Sequence, residues 1–212
     1  MANFSQMGEA LYKGDADLLK TIVQQAIQDG VPAGDILTKG LLAGMDHIGE
    51  DFKNGIVFVP EVIFASRAMT AAMDVLQPLL AKAGIKPIGR VILGTVRGDV
   101  HTIGKHLVAI MLRGAGFLVE DLGADVPVEK FVEGARKAGP CIVGMSTLLT
   151  MTMPVMGEVV AALRKEGLKG ARTLIGGAPV TQDFAAEIGA DGYAPDAAEA
   201  VGVARRLLGV GA

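Results

Sequence analysis

The sequence predicts a helical bundle joined to a doubly wound α/β domain, and three observations predict it. Apolar residues recur at helical spacing from Phe4 to about Ala83, the period changes around "GIKPIGR", and after Arg90 short β-branched runs alternate with amphipathic stretches. Half of the 212 residues are apolar, enough for a sizeable core in one large domain or two small ones.

The first part reads as four helices, at roughly 4–12, 15–29, 32–52 and 60–83. Their apolar stripes run through "LLKTIVQQAI", "ILTKGLLAGMDHIGEDF" and "VPEVIFASRAMTAAMDVLQPLLAKA", with Gly and Pro between the runs. Asp15 opens the second helix by side-chain capping, and Pro32 opens the third through its preset backbone angle. This four-helix bundle is assigned to residues 1–85, with a linker at about 84–89. Residues 86–212 hold five strand candidates: "RVILGTV", "FLVEDLG", "CIVGMST", "RTLIGG" and "DGYAP". A helix follows each, near 103–115, 128–138, 154–167, 181–189 and 196–208. Five strand-then-helix units imply a parallel sheet covered on both faces, hence a doubly wound, flavodoxin-like (Rossmann-like) five-stranded sheet of order 2-1-3-4-5. No internal repeat or low-complexity segment interrupts it.

Composition narrows the function. Lys and Arg total 20 against 23 Asp and Glu, and no basic run makes the footprint that nucleic acid requires. The first 85 residues carry 6 basic and 10 acidic side chains, a net of −4, which leaves +1 for the rest. Cys141 is the single cysteine and has apolar neighbours, so it reads as a small buried hydrophobe and no internal disulfide is possible. The start "MANFSQMGEALYKGDADLL" lacks the charged and apolar segments of a signal peptide. No apolar run reaches the roughly 18 residues that span a bilayer. A soluble, cytoplasmic protein is expected, with neither nucleic acid nor membrane as partner.

In an open parallel sheet, ligands bind beyond the carboxyl ends of the strands. That rule selects "GDVHTIG" after strand one, "STLLTMTMP" after strand three, "GGAP" after strand four and "APDA" after strand five. Taken alone, "GDVHTIG" leaves His101 open as a phosphate contact, a proton carrier or a metal ligand. Gly98 and Gly104 let a bulky group approach the backbone, and a following helix begins with free N–H groups that favour an anion. The loop does not complete the P-loop set of glycines, lysine and hydroxyl, however, nor the spacing of a dinucleotide fingerprint. Nothing supplies a zinc set, since His106 is five residues on and Cys141 belongs to another strand. A lone histidine is sufficient where a macrocycle brings the other metal ligands, and Asp99, two residues before it, is placed to orient its second nitrogen.

"DVHTIG" (Asp99, His101, Gly104), "STL" (Ser146, Leu148) and "GG" (Gly176, Gly177) closely resemble the Asp-x-His-x-x-Gly, Ser-x-Leu and Gly-Gly pattern of cobalamin-binding domains, in order and in separation. The segment "GIVFVPEVIFASRAM" resembles the helical cap that precedes this domain in methionine synthase and in the corrinoid proteins of methyltransferase systems, so the resemblance covers nearly the whole chain. It implies a cobalamin or related corrinoid as cofactor, cycling between Co(I) and methylcobalamin, with His101 as axial cobalt ligand in place of the displaced lower base. Gly104, Gly176 and Gly177 would leave passage for the nucleotide tail, Ser146 would bond the buried base, and Leu148 would line its slot. Thr150 would reach the tail or the corrin side chains, and Gly98, Val100, Thr102, Ile103 and Ala197 would complete the contacts. A ligand relay would run from His101 to Asp99 to Thr152, which stands where methionine synthase has a serine; a plain helix start before Pro154 is the competing reading of Thr152. Phe58 falls where an aromatic covers the reactive face of the corrin, and bundle core is its competing reading.

The implied function is a methyl carrier, not expected to complete turnover alone. Its partners would be a substrate-specific corrinoid methyltransferase, an acceptor methyltransferase using tetrahydrofolate or coenzyme M, and a reductive activase for Co(II). An O-demethylase is the narrow expectation for the donor system, with methylamine, methanol and betaine systems as the others. A cobalamin-dependent sensor is the alternative, although 85 acidic-leaning residues leave no room for an output module beside the cap. The small subunit of a carbon-skeleton mutase is a third reading, disfavoured because such subunits generally lack this cap.

Overall fold

The computed structural model describes residues 3–210. The chain divides into two compact units, one running to Pro87 and taking in Arg113–Gly116, the other comprising Ile88–Leu112 and everything from Phe117 onward.

In the first unit, α1 (Phe4–Tyr12) starts where the Asn3 side chain accepts the Gln6 N–H, and α2 (Ala16–Gln28) starts where Asp15 accepts that of Leu18 at 3.0 Å. The expected third helix is not uniform. Pro32 precedes a single turn, α3 (Ala33–Asp35), which widens into a π-helical stretch over Ile36–Leu42 before α4 (Ala43–Lys53). Each wide turn spends an extra residue, which a 3.6-residue apolar period does not register. The stretch brings glycines against α1: a Cβ on Gly40 would lie 2.5 Å from the Met7 sulfur, and one on Gly44 would lie 3.2 Å from the Gly8 Cα. Then α5 (Val59–Lys82) buries Val62, Ala65, Met69, Ala72, Leu76 and Leu80 and packs on α2. The spacing of those residues is the apolar stripe read from the sequence.

The second unit alternates β1 (Arg90–Thr95), α6 (Ile103–Gly114), β2 (Leu118–Asp121), α7 (Val128–Ala138), β3 (Cys141–Ser146), α8 (Met153–Lys165), β4 (Ala171–Gly176), α9 (Gln182–Ile188), β5 (Gly192–Tyr193) and α10 (Ala197–Leu208). All neighbours are parallel and the order is β2-β1-β3-β4-β5, as expected. Central β1 and β3 are buried on both faces, whereas the edge strands are shorter than their apolar runs suggest: four residues for β2 and two for β5. An edge strand has one pairing partner, so a run of suitable residues continues past the last ladder bond. Cys141 is fully buried, and burial pushes its thiol up to about 11.

Register is what builds the ligand end of this sheet. Thr95 pairs with Ser146, and Ser146 with Gly176, so the carboxyl ends of β1, β3 and β4 finish in one row. Among the described residues, no helix is long and apolar enough to cross a membrane.

Candidate functional site

Beyond that row, the β1 loop is tied down from several sides. The Asp99 N–H donates to the Val96 carbonyl through a turn that needs Gly98 at φ +85. Gly98 N–H donates to the Asp125 carboxylate at 2.7 Å, the Asp125 N–H returns to the Asp99 carbonyl, and the buried Thr95 hydroxyl donates to the His101 carbonyl at 3.0 Å. Such a loop holds its side chains in one place.

Asp99 is fully buried and its carboxylate accepts five hydrogen bonds. Oδ1 takes the His101 backbone N–H at 2.9 Å and lies 2.8 Å from the His101 ring Nδ1. Oδ2 takes the Thr147 hydroxyl at 2.7 Å and the N–H groups of Leu148 and Leu149 at 2.6 and 3.3 Å. Burial by itself opposes the charge. The N–H groups of His101 and Leu148, the Thr147 hydroxyl and the imidazole nevertheless hold the carboxyl well below the usual carboxylate range. An ionised Asp99 fixes the tautomer of its neighbour: Nδ1 of His101 carries the proton, and Nε2 presents a lone pair. The imidazole is half exposed.

Around His101, the β1 and β3 loops display Val100, Ile103, Leu148 and Met151, which are 47–85% exposed. Gly104, in the first turn of α6, has open space where a side chain would stand. Among the described residues, no group of three or more His, Cys, Asp or Glu side chains could hold a metal ion. The donor set is therefore one imidazole set in an apolar rim, which fits a metal that arrives within its own large ring and does not fit a bare cation.

The structure places the other expected residues as follows. Thr152 is buried, and Thr147, absent from the sequence reading, stands between it and Asp99, with its hydroxyl 2.5 Å from that of Thr152 and 2.7 Å from the carboxylate. Nor does Thr152 cap α8 with its side chain, since its hydroxyl bonds the Leu149 carbonyl and Thr147 instead. Ser146 contributes its carbonyl to the Val96 N–H and is half-buried, while Thr150 is exposed at the start of a 3-10 turn. The Thr102 carbonyl accepts the His106 N–H just inside α6, and Ala197 is buried in the first turn of α10 behind the Asp196 cap. The glycine pair has a role the sequence did not disclose. A Cβ on Gly177, whose φ is +131, would lie 1.9 Å from the Thr147 carbonyl oxygen, and one on Gly176 would lie 2.8 Å from that of Ala194. Their bareness serves close approach of protein backbone. In the first unit, Phe58 precedes α5, donates its N–H to Glu61 at 3.1 Å and is 63% exposed, so it is not bundle core.

Lys105 also escaped the sequence reading. It is buried at the start of α6 and its ammonium bonds Asp121 at the end of β2, whose same oxygen accepts the Gly123 N–H at 2.9 Å. A lysine directly after the loop glycine was the available signal, but the strand end that neutralises it lies 16 residues away.

Comparison with known proteins follows the same division. A B12 binding domain family matches residues 89–202, and a second B12 binding domain family matches residues 4–77. The chain is 40% identical to trimethylamine corrinoid protein 1 of Methanosarcina acetivorans, with 94% of each chain covered. It is 45% identical to dimethylamine corrinoid protein 1 of the same organism, covering 82% of this chain and 83% of that one. Among solved structures, it resembles a cobalamin-binding protein from Desulfitobacterium hafniense (33% identity, TM-score 0.80, 97% and 98% covered). It also resembles the methanol:cobalamin methyltransferase complex of Methanosarcina barkeri (30% identity, TM-score 0.87, 97% and 79% covered).

Proposed function

This chain belongs to the corrinoid proteins of methyltransferase systems, its cofactor is a cobalamin or related corrinoid, and we propose that it carries methyl groups between two methyltransferases. The observation that carries this reading is the half-exposed His101, its Nδ1 tied to a buried, ionised Asp99 and its Nε2 left available. When bound, the corrinoid supplies a nucleophilic cobalt able to take a methyl group from one partner and pass it to another.

The protein's part is ligation, proton control and shielding. His101 Nε2 would hold the cobalt, and Asp99 keeps it aimed. The Asp99 carboxylate, 2.8 Å from Nδ1, keeps the ring in one orientation. The proton of the pair resides on the histidine, because the other bonds to Asp99 all favour its charged form. Val100, Ile103 and Leu148 would meet the ring, Gly104 would leave room for it, and Ser146, Thr150, Gly176, Gly177 and Ala197 are assigned to the tail. Residues 1–85 are assigned as the cap, with Phe58 as the aromatic that shields the reactive face, and residues 86–212 as the cobalamin-binding domain.

Of the expected donor systems, O-demethylase and methylamine among them, a methylamine donor is the one proposed, because the relatives with 40–45% identity named above are trimethylamine and dimethylamine corrinoid proteins. The acceptor methyltransferase and a reductive activase complete the proposed partners. The test is methyl transfer to the reconstituted protein by methylamine, methanol and methoxyarene methyltransferases, each supplied with its own donor. Methylation from a methylamine alone is expected, and methylation only from a methoxyarene would restore the O-demethylase. Ligation is tested separately: His101→Ala should remove the axial nitrogen splitting from the electron paramagnetic resonance spectrum of the Co(II) protein.

A further inference from the structure

Asp99 aims His101 only as firmly as its own carboxylate is held, and three loops meet at the group that holds it. Thr147 is buried. Its N–H donates to the Gly176 carbonyl at 3.3 Å, its own carbonyl closes on Gly177, and its hydroxyl lies 2.7 Å from Asp99 Oδ2 and 2.5 Å from the Thr152 hydroxyl. Building on the reading of His101 as the cobalt ligand, we propose that Thr147 is a positioning residue for that ligand: the donor that locks the Asp99 carboxylate, with Thr152 acting only through it.

Two hydroxyl protons serve three acceptors: Asp99 Oδ2, the Leu149 carbonyl and whichever hydroxyl oxygen is not donating. Were Thr147 to donate to Thr152, two oxygen lone pairs would face each other across 2.7 Å at a buried carboxylate. Thr147 therefore donates to Asp99. The Thr152 hydroxyl is then free to donate to Thr147 or to the Leu149 carbonyl 2.9 Å away. Losing Thr152 leaves the bond to Asp99 in place, whereas losing the Thr147 hydroxyl removes the side-chain donor that Oδ2 has among the described residues. Two backbone N–H groups on the following residues remain there, one of them at 3.3 Å. A carboxylate so loosened turns about its χ2, and Oδ1 and the imidazole move with it.

The test compares Thr147→Val, which keeps the shape and removes the hydroxyl, with Thr147→Ser and Thr152→Val. The first readout needs no cofactor: ring ¹⁵N shifts of His101 in the cofactor-free protein, at a pH where the imidazole is neutral, report the two tautomers. Thr147→Val should raise the population ratio of the Nε2–H to the Nδ1–H form by about tenfold, as expected for the loss of one charge-assisted hydrogen bond. Thr147→Ser should stay within about twofold of wild type, and Thr152→Val within about threefold. A shift under about twofold in Thr147→Val, or a shift in Thr152→Val that exceeds the one in Thr147→Val, overturns the proposal. Should the valine variant not fold, Thr147→Cys keeps the bulk with only a weak donor and answers to the same limits. The second readout is the axial nitrogen splitting of the Co(II) protein, which Thr147→Val should weaken and Thr147→Ser restore. If His101→Ala keeps that splitting, the ligand reading fails, while the tautomer comparison still decides the role of Thr147.

Discussion

Asp99→Asn perturbs the site with almost no change of shape, and its cost follows from the donors around the carboxylate. An amide nitrogen in place of Oδ2 meets the Leu148 N–H across 2.6 Å, donor against donor, although the Thr147 hydroxyl is able to turn and accept. In place of Oδ1 it meets the His101 backbone N–H at 2.9 Å, and the ring accepts only by moving its proton to Nε2, which then cannot ligate. Either way a buried N–H loses its partner, at about 1–3 kcal/mol, and the remaining bonds lose their charge assistance. The expected loss at neutral pH is roughly 2–4 kcal/mol. Its pH dependence has a definite sign. The carboxyl is depressed in the folded state, so its contribution is fully present above the ordinary value of 3.8 and is lost as pH falls from there toward the folded value. The loss runs at up to about 1.4 kcal/mol per pH unit. The gap between wild type and Asp99→Asn should therefore be level from about pH 7 to pH 5 and narrow below about pH 4. With no tryptophan in the chain, the assay is hydrogen exchange at the Ile92 and Val143 amides of β1 and β3, in the unit that carries the site. A gap below about 0.5 kcal/mol at neutral pH, or one that stays level down to about pH 3, would refute the reasoning.

Gly177→Ala should destabilise by about 3 kcal/mol or more in thermal unfolding, because both its φ of +131 and the 1.9 Å approach to the Thr147 oxygen oppose a Cβ. Gly104→Ala, with open space and an early helical position, should leave stability unchanged or raise it by up to about 1 kcal/mol in the same measurement. Lys105→Met should cost roughly 2–4 kcal/mol by hydrogen exchange at the Leu93 amide, since it leaves the Asp121 carboxylate without its buried cation, and Asp121→Asn in the same chain should recover part of it. Phe58→Ala should leave stability within about 0.5 kcal/mol, given its exposure, yet speed the loss of the bound methyl group in a photolysis time course at fixed light intensity. Equal photolysis rates would remove Phe58 from the shielding role.

Sequence alone determined what depends on period and on local order. The stripe from Val62 to Leu80, the Asp15 cap and five β-branched runs each followed by a helix were legible because neighbouring residues encode them, and together they fixed the class of fold and the strand order. "DVHTIG", "STL" and "GG" were legible for the same reason: strand ends are local, and the parallel sheet gathers them at one edge. Tertiary structure decided the rest. The widened turns at Ile36–Leu42 answer to α1 packed on Gly40 and Gly44, and the true length of β5 depends on having one neighbour. Thr147 was passed over although it lies between two residues that were singled out, because its hydroxyl matters only through Asp99, 48 positions earlier. Gly177 was read as leaving space for a ligand, and the close approach it also permits to the backbone of Thr147, 30 positions before it, was not legible. A hydrogen bond or a close approach between distant segments leaves no period in either one, so only the folded chain reveals it.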